Sequence, residues 1–283
     1  MQHSQDPGAA QSARSVSVVL AGSGGAGVMT AGNMLLEAAA HAGYYALMTR
    51  SSGPQIRGGE AAAMLRIACE PIECMEDRFH VLAAVDWENV QRFNAEIPLG
   101  DSSLIVGDPD QGEPPDVFLK SGAARASLPL KKIAKSVPEG RANMVLLGAV
   151  AALLGLPDEA VAHAVERTLG KRPAALAPSL AAVAAGRAAA AEIAVRFPLA
   201  PPPPTRGPRW LLTGNEAAGY GAIKGGVRFV AAYPITPATE LLEWMAPALA
   251  QVGGTLLQAE DELASINMAI GGSYGGVPSL TAT

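Results

Sequence analysis

A proline-rich segment at residues 197–209 divides the chain and limits what it can fold into. Residues 201–204 are four consecutive prolines, which favour a polyproline II spacer. Proline lacks a backbone N–H, so this stretch suits neither a helix interior nor a central strand. A ligand for an SH3-type domain is an alternative, but a linker suits the patterns on both sides better. The sequence therefore predicts a tail (1–15), a first domain (16–196) and a second domain (210–283).

Both predicted domains alternate strand-like and helix-like segments. The first opens with a strand at 16–20, a glycine turn at 22–27 and a helix at 28–41. Its other predicted strands are 44–48, 62–67, 81–85 and 103–106, and its other helices are 143–154, 158–169 and 174–195. The second domain has predicted helices at 216–225, 240–252 and 263–274, and strands at 229–232, 255–258 and 279–283. This alternation predicts an α/β fold in each, with a Rossmann-like first domain. So small a second sheet is expected to be cut short or completed by another chain.

Composition narrows the class of protein. The chain has 283 residues, of which 49% are hydrophobic, so a sizeable core is expected. The net charge is −5 and no Lys/Arg stripe occurs, which argues against nucleic acid as a partner. Neither a signal peptide nor a membrane-spanning run is evident, so a cytoplasmic location without membrane attachment is expected. Cys69 and Cys74 are too few for a disulfide framework, zinc site or iron–sulfur cluster, and are interpreted as thiols without a role.

The glycine turn favours contact with an anion. Gly24, Gly25 and Gly27 let backbone N–H groups approach a phosphate at the start of the following helix. A nicotinamide cofactor would also need an acidic residue after the next strand, where this chain has Arg50. We therefore favour another phosphate or pyrophosphate contact over NAD, with a purely structural tight turn as an equal alternative.

A second polar segment covers residues 50–59 and combines arginine, serine and glycine. Its candidate binding residues are Arg50, Ser52, Arg57 and Gly58. Arg57 in particular can bind a carboxylate or phosphate through paired hydrogen bonds. A solvated hairpin loop is the alternative interpretation.

Two polar segments follow predicted strands of the second domain. The first is Tyr233, Pro234, Ile235, Thr236 and Pro237, a rigid turn that presents one hydroxyl group. The second ends in Glu262, which precedes a helix rich in small residues that let another body come close. Acidic residues at a helix start are commonly just solvated. Among small residues, however, we expect the Glu262 carboxylate to be partly desolvated and to serve as an acid/base group.

Together these motifs resemble the 2-oxoacid:ferredoxin oxidoreductases. The similarity to the alpha subunit lies in residues 214–217, 233–237, 260–262 and 281–283. The similarity to the gamma domain lies in residues 22–27, 52–54, 57–59 and 143–157. The order gamma domain, linker, alpha domain resembles the fused subunit of the 2-oxoglutarate-type enzymes. The resemblance covers nearly the whole chain from Val16 onward, and implies that the second region is the start of a thiamine-diphosphate pyrimidine-binding domain.

The resemblance implies an enzyme that uses thiamine diphosphate and Mg²⁺ to decarboxylate a 2-oxoacid oxidatively, with CoA as acyl acceptor. A beta subunit would carry the diphosphate-binding domain and a [4Fe–4S] cluster that passes electrons to ferredoxin. Glu262 would hydrogen-bond the aminopyrimidine ring and Thr236 the substrate. The surrounding cofactor-binding residues would be Tyr233, Pro234, Ile235 and Pro237. Near the CoA channel or the mouth of the active site would lie Gly24, Gly25, Gly27, Arg50, Ser52, Arg57 and Gly58.

Three departures from the family pattern refine this expectation. Ala26 stands where the family commonly has Gln, the chain has no cysteine cluster, and the sequence ends at Thr283 where family members continue. We therefore expect a chain that is inactive alone and works in a dimer of alpha–beta pairs. A non-catalytic capping subunit and a nicotinamide-dependent dehydrogenase are the alternatives. The gamma–alpha order favours 2-oxoglutarate, with pyruvate and branched-chain oxoacids left open.

Overall fold

The computed structural model describes residues 12–53, 59–204, 207–236 and 238–282. The chain divides into two compact units, one ending at Gly207 and the other beginning at Pro208. Three residues singled out in the sequence, Arg57, Gly58 and Pro237, lie outside the described residues.

The first unit is a six-stranded sheet with helices. Its strands are β1 (Ser15–Ser23), β2 (Tyr45–Ser52), β3 (Glu60–Ala68), β4 (Val81–Ala84), β5 (Leu104–Gly107) and β6 (Ala124–Ser127). Its helices are α1 (Val28–His41), α2 (Asp116–Leu119), α3 (Leu130–Ser136), α4 (Ala142–Leu154), α5 (Asp158–Leu169) and α6 (Pro173–Ala189). Short 3-10 helices span Val90–Phe93, Pro109–Gln111 and Ala190–Glu192.

The strand order of this sheet is β2-β3-β1-β4-β5-β6. Strand β3 lies between β1 and β2 and is antiparallel to both, whereas β1, β4, β5 and β6 are parallel to one another. The predicted α/β class is confirmed, with β3 as an antiparallel insertion in an otherwise parallel sheet. Because parallel strands end at one edge, the glycine turn after β1 and the segment after β4 lie side by side.

Helix α4 is the centre of the apolar core. Every residue of α4 is buried except Ala142 and Ala152. It crosses α6 at a pair of glycines: a Cβ on Gly148 would collide with the carbonyl of Val183, and a Cβ on Gly186 with that of Val145. The two backbones therefore approach closely, which only glycine permits.

The run Pro173–Glu192 meets the length and hydropathy of a membrane span. Its glycine contact with α4 is also what the core helix of a water-soluble domain makes, so composition alone does not distinguish the two.

The second unit is a smaller α/β unit. Its elements are α7 (Gly214–Lys224), β7 (Phe229–Ala232), α8 (Thr239–Gln251), β8 (Thr255–Gln258), α9 (Glu262–Tyr274) and β9 (Ser279–Leu280). The strand order is β8-β7-β9, all parallel. A small core forms around Val230, Leu242, Met245 and Leu249.

Most predicted elements are present, with shifted ends. The polar loop predicted from Arg50 onward is wrong at its start, because β2 continues through Ser52 and pairs with β3. Antiparallel pairing satisfies the backbone there, whatever the polarity of the side chains. The edge strand β6 and helix α3 are absent from the sequence-based prediction. Strand β6 was not recognised because Ala124–Ser127 carries no apolar run.

Candidate functional site

The polar segments of the second unit meet at one edge of its sheet. Strands β7, β8 and β9 are parallel, so the residues that follow each strand lie at the same edge. The amide of Ala259 donates to the carbonyl of Ala232 (2.9 Å), which holds the ends of β7 and β8 together. This edge therefore carries both Thr236 and Glu262.

The turn after β7 presents its side chains to solvent. Tyr233, Ile235 and Thr236 are exposed, and Pro234 is half-buried. The amide of Thr239 donates to the carbonyl of Ile235 (2.9 Å) and closes the turn at the start of α8. An exposed hydroxyl on a turn fixed by proline and by this bond is available to a ligand.

The three acidic residues after β8 have different environments. Asp261 is the N-cap of α9, and its carboxylate accepts from the amide of Ala264 (2.6 Å). Glu260 and Glu262 are exposed, and neither carboxylate accepts a hydrogen bond from the part of the chain that the structure describes. Asp261 is thus committed to the helix, while Glu262 is free for a ligand.

In this chain by itself the Glu262 carboxylate is exposed, so its partial desolvation stays a prediction. Three small residues of α9 face its own sheet: Ser265 and Ala269 are buried, and a Cβ on Gly272 would meet Phe229 and Ser279. They let the helix approach β7 and β9, so they do not surround the carboxylate. The large apolar side chains of α9 point outward, with Leu263 74% and Tyr274 91% exposed.

The glycine turn of the first unit has the geometry of an anion cradle. Gly25 (φ 96°) and Gly27 (φ 81°) have left-handed backbone conformations that favour glycine. The turn is closed by the amide of Ala26, which donates to the carbonyl of Ser23 (3.1 Å). Within the described residues, the amides of Gly24, Gly25 and Gly27 donate no hydrogen bond. These N–H groups are left for a ligand.

A cavity of about 840 Å³ opens beside this turn. Its lining includes the first residues of α1 and α4 and Ala175 in the first turn of α6, and none of these helices has a side-chain cap. Arg141 and Arg172, the residues before α4 and α6, add two exposed guanidinium groups. Helix N-termini carry unpaired N–H groups and partial positive charge. The cavity therefore suits a ligand with several negative charges.

Asn143 connects the turn to α4. Its side-chain amide donates to the carbonyl of Gly27 (3.1 Å), and a Cβ on Gly27 would occupy the space of that amide. The glycine at this position is thus required both by its left-handed backbone and by this contact.

Two of the predicted channel residues lie elsewhere. Arg50 and Ser52 are exposed residues of β2, paired with Ala63 and Ala61 of β3. Neither lines the cavity, although Ala61 does. Arg141 and Arg172 are absent from the sequence-based candidates. The sequence feature that could have identified them is an arginine at the N-cap position of a helix, where Ser, Thr, Asp or Asn is usual.

An ion pair between a buried carboxylate and a half-exposed arginine lies next to the glycine turn, where Glu60 pairs with Ser23 across β3 and β1. The side chain of Glu60 at the start of β3 is fully buried, and Nη1 of Arg92 donates to its Oε1 (2.8 Å). Its Oε2 accepts no bond from the described residues. The pKa of Glu60 is held below its ordinary value, first by a hydrogen bond from its own backbone and then by Arg92.

Arg92→Ala should therefore lower the stability of the first unit at neutral pH and make that stability depend less on pH. A carboxyl group with a depressed folded pKa stabilises the protein above its unfolded pKa, and this stabilisation is lost as pH falls through the folded pKa. Without Arg92 the folded pKa of Glu60 rises towards its unfolded value, so the stabilisation is already smaller at pH 7 and less of it is lost as pH falls. Thermal unfolding followed by circular dichroism between pH 7 and pH 4 would measure both the lower stability at pH 7 and the flatter pH profile. Arg125→Ala, which removes only an exposed pair with Glu113, is the control, and identical acid profiles for the two variants would contradict the prediction.

Within the described ranges, no group of three or more His, Cys, Asp or Glu side chains could hold a metal ion.

Comparison with known proteins finds matches in both units. Residues 17–189 match the family model described as pyruvate ferredoxin/flavodoxin oxidoreductase. Residues 220–283 match the model described as pyruvate flavodoxin/ferredoxin oxidoreductase, thiamine diphosphate-binding.

Individual relatives agree with these models. A 2-oxoglutarate synthase subunit (KorA) of Methanocaldococcus jannaschii is 54% identical over 72 residues, which are 25% of this chain and 20% of the relative. The alpha subunit of 2-oxoacid:ferredoxin oxidoreductase from Saccharolobus solfataricus is 28% identical over 319 aligned positions, covering 95% of this chain and 50% of the relative.

A solved structure resembles nearly the whole fold. The 2-oxoglutarate:ferredoxin oxidoreductase of Magnetococcus marinus, with 2-oxoglutarate, coenzyme A and succinyl-CoA bound, has a TM-score of 0.84 and 33% identity. The match covers 95% of this chain and 47% of that one. The chain thus spans about half the length of the relatives that it matches almost completely.

Proposed function

Since the chain belongs to the pyruvate ferredoxin/flavodoxin oxidoreductase family, we propose that it is part of a 2-oxoacid:ferredoxin oxidoreductase. The proposed reaction is oxidative decarboxylation: the 2-oxoacid loses CO2, its acyl group forms a thioester with CoA, and the released electrons reduce ferredoxin. The observation that carries the proposal is the edge where the uncommitted carboxylate of Glu262 and the exposed hydroxyl of Thr236 follow neighbouring parallel strands. 2-Oxoglutarate is the proposed substrate, supported by the names of the relatives.

The residues present fit half of a thiamine-diphosphate site. When bound, this cofactor supplies a nucleophilic carbon that attacks the keto group of a 2-oxoacid. Glu262 would accept or donate a proton at the aminopyrimidine ring, and its lack of any other partner leaves both carboxylate oxygens available. Thr236 would donate a hydrogen bond to the substrate from a turn that is already rigid, which reduces the entropy lost on binding. Tyr233, Pro234, Ile235 and Pro237 would form the wall beside the ring.

The other half of this site is proposed to come from a beta subunit. That subunit would bind the diphosphate with Mg²⁺ and would carry the [4Fe–4S] cluster from which ferredoxin takes electrons. The relatives are themselves named as subunits, which supports an assembly of alpha and beta chains, proposed as a dimer of alpha–beta pairs in the cytoplasm.

The cavity of the first unit is the proposed binding site for the phosphates of CoA. Gly24, Gly25 and Gly27 would donate backbone N–H groups, and Arg141 and Arg172 would neutralise charge. Three helix N-termini and two guanidinium groups around one cavity support this assignment. Arg50, Ser52, Arg57 and Gly58 remain proposed contacts near the CoA channel or the mouth of the active site.

The function is tested by reconstitution. The chain, produced with a cluster-carrying partner subunit and supplied with thiamine diphosphate and Mg²⁺, should reduce ferredoxin only when both 2-oxoglutarate and CoA are present. Ferredoxin reduction would be followed by absorbance, and the thioester by chromatography. Failure with 2-oxoglutarate, pyruvate and branched-chain oxoacids alike would contradict the proposed activity.

Arg141→Ala and Arg172→Ala should each raise the KM for CoA by about tenfold, because a hydrogen bond to a charged group contributes roughly 1.5 kcal/mol or more. The KM for the 2-oxoacid should stay unchanged, since its site lies in the second unit. Steady-state kinetics of the assembled enzyme, with either substrate varied, separates the two effects.

Lys171→Ala is the matched control, because Lys171 is the exposed cation next to Arg172 but does not line the cavity. If all three variants raise the KM for CoA equally, the effect is general surface charge and the assignment of the two arginines is wrong.

A further inference from the structure

The segment after β4 contains a carboxylate that holds the glycine turn in place. Asp86 is the second residue after the end of β4, and Ser23 ends the neighbouring parallel strand β1. Oδ1 of Asp86 accepts from the amide of Ser23 (2.9 Å), and Oδ2 accepts from the hydroxyl of the same serine (2.7 Å). Oδ1 also accepts from the amide of Glu88 (3.2 Å). One carboxylate thus fixes one residue of the turn through both its backbone and its side chain.

The location of Asp86 separates it from the ligand. Ser23 to Gly27 line the cavity, whereas Asp86 does not. Its side chain is half-buried and its two oxygens are occupied by three donors. A carboxylate exposed beside a phosphate site would repel the phosphate. Here the carboxylate does not line the cavity, and its charge is engaged by N–H and O–H groups, which lowers that cost.

The polar groups of Ser23 are all bonded within the protein, whereas the glycine amides that follow it are not. Ser23 uses its amide, hydroxyl and carbonyl within the protein, the carbonyl accepting from Ala26. The amides of Gly24 and Gly25, which come next, have no acceptor within the described residues. Glycine loses more conformational freedom on ordering than any other residue, so an unanchored turn would lose entropy when it closes on a ligand.

We propose that Asp86 is a positioning residue for CoA: through Ser23 it holds the glycine turn in the conformation that binds the CoA phosphates before the ligand arrives. This inference rests on the proposed function of the cavity. It assigns Asp86 no contact with substrate and no part in the chemistry at Glu262.

Three variants test the proposal by the number of bonds that each removes. Asp86→Ala removes all three and should weaken CoA binding about tenfold or more. Ser23→Ala removes only the bond between the hydroxyl and Oδ2, and should have an effect of about threefold to fivefold. Asp86→Asn can keep its oxygen towards the two amides and donate its NH₂ group to the Ser23 hydroxyl, so it should bind CoA nearly as well as the parent chain.

The measurement is the dissociation constant of CoA by titration calorimetry, together with the KM for CoA and for 2-oxoglutarate in the assembled enzyme. Asp101→Ala, which removes an exposed aspartate remote from the turn in sequence, is the control. The proposed positioning role is supported if Asp86→Ala raises the dissociation constant and the KM of CoA but leaves kcat and the KM for 2-oxoglutarate unchanged.

Two results would overturn the inference, and they differ. If the parent chain binds CoA and Asp86→Ala binds it equally well, Asp86 has no positioning role, while the cavity assignment stands. If the parent chain and the assembled enzyme both fail to bind CoA at this cavity, as judged by the unchanged KM of Arg141→Ala and Arg172→Ala, the cavity assignment fails and the inference with it. If Asp86→Ala unfolds, the ratio between Ser23→Ala and Asp86→Asn still decides, because equal CoA affinities for these two variants contradict the proposal.

Discussion

Glu262→Gln should lower the rate of 2-oxoacid-dependent ferredoxin reduction by about a hundredfold or more in the assembled enzyme. Glutamine keeps the size of the side chain and can still hydrogen-bond, but it cannot exchange a proton with the aminopyrimidine ring. The carboxylate is exposed at the first residue of α9 and has no other role in the described structure. The expected signature is therefore a loss of kcat with little change in stability. Stopped-flow or steady-state reduction of ferredoxin would measure it, with thermal unfolding in parallel.

Glu260→Gln is the matched control for this prediction. Glu260 lies two residues away, is equally exposed and also lacks a partner within the described residues. Its substitution removes the same charge from the same edge of the sheet. If both variants lose activity to the same extent, the effect comes from the field of the acidic segment and Glu262 has no particular role. Near-normal turnover of Glu262→Gln alone would remove the acid/base assignment.

Asp261 explains why three adjacent acidic residues do not share one function. Its carboxylate caps α9, so its loss should destabilise the helix by about 1 kcal/mol. A variant at Asp261 would therefore reduce activity through structure. The comparison of Glu260 with Glu262 is free of that complication because neither carboxylate accepts the capping hydrogen bond of α9.

Local sequence signals are sufficient for several elements in both units. The helix Val28–His41 was predicted with its observed ends because a glycine turn precedes it and its apolar residues recur at helical spacing. The strands Phe229–Ala232 and Thr255–Gln258 were likewise predicted residue for residue. These elements have strong periodicity or clear boundaries, which are properties of neighbouring residues.

The features that could not be predicted from the sequence depend on contacts between residues that are far apart in the chain. Strand β3 is antiparallel and lies between β1 and β2, although nothing within its own residues sets its direction. On α9, Ser265, Ala269 and Gly272 pack against the sheet of their own unit, and the spacing of these small residues does not by itself tell which body they approach. Arg141 and Arg172 are 31 positions apart in sequence, and only the crossing of α4 and α6 brings them to one cavity.

That crossing leads to the largest expected effect on stability. Gly148→Ala and Gly186→Ala should each reduce the free energy of unfolding of the first unit by about 2–3 kcal/mol, because each new Cβ collides with a backbone carbonyl of the facing helix. A flexible side chain could move aside, whereas a carbonyl within a helix cannot move without breaking its own hydrogen bonds. Urea unfolding followed by circular dichroism would measure the loss.

Gly221→Ala is the control, and its expected change in stability has the opposite sign. Gly221 lies in α7 with open space where a Cβ would stand, so alanine should stabilise that helix by about 0.5–1 kcal/mol.

The crossing of α4 and α6 also sets the separation of Arg141 and Arg172, which precede the two helices. Gly148→Ala should therefore weaken CoA binding even at temperatures where the chain remains folded. Unchanged CoA affinity in a folded but destabilised Gly148→Ala variant would show that the cavity tolerates displacement of α4 relative to α6, and would separate the stability of the unit from its binding geometry.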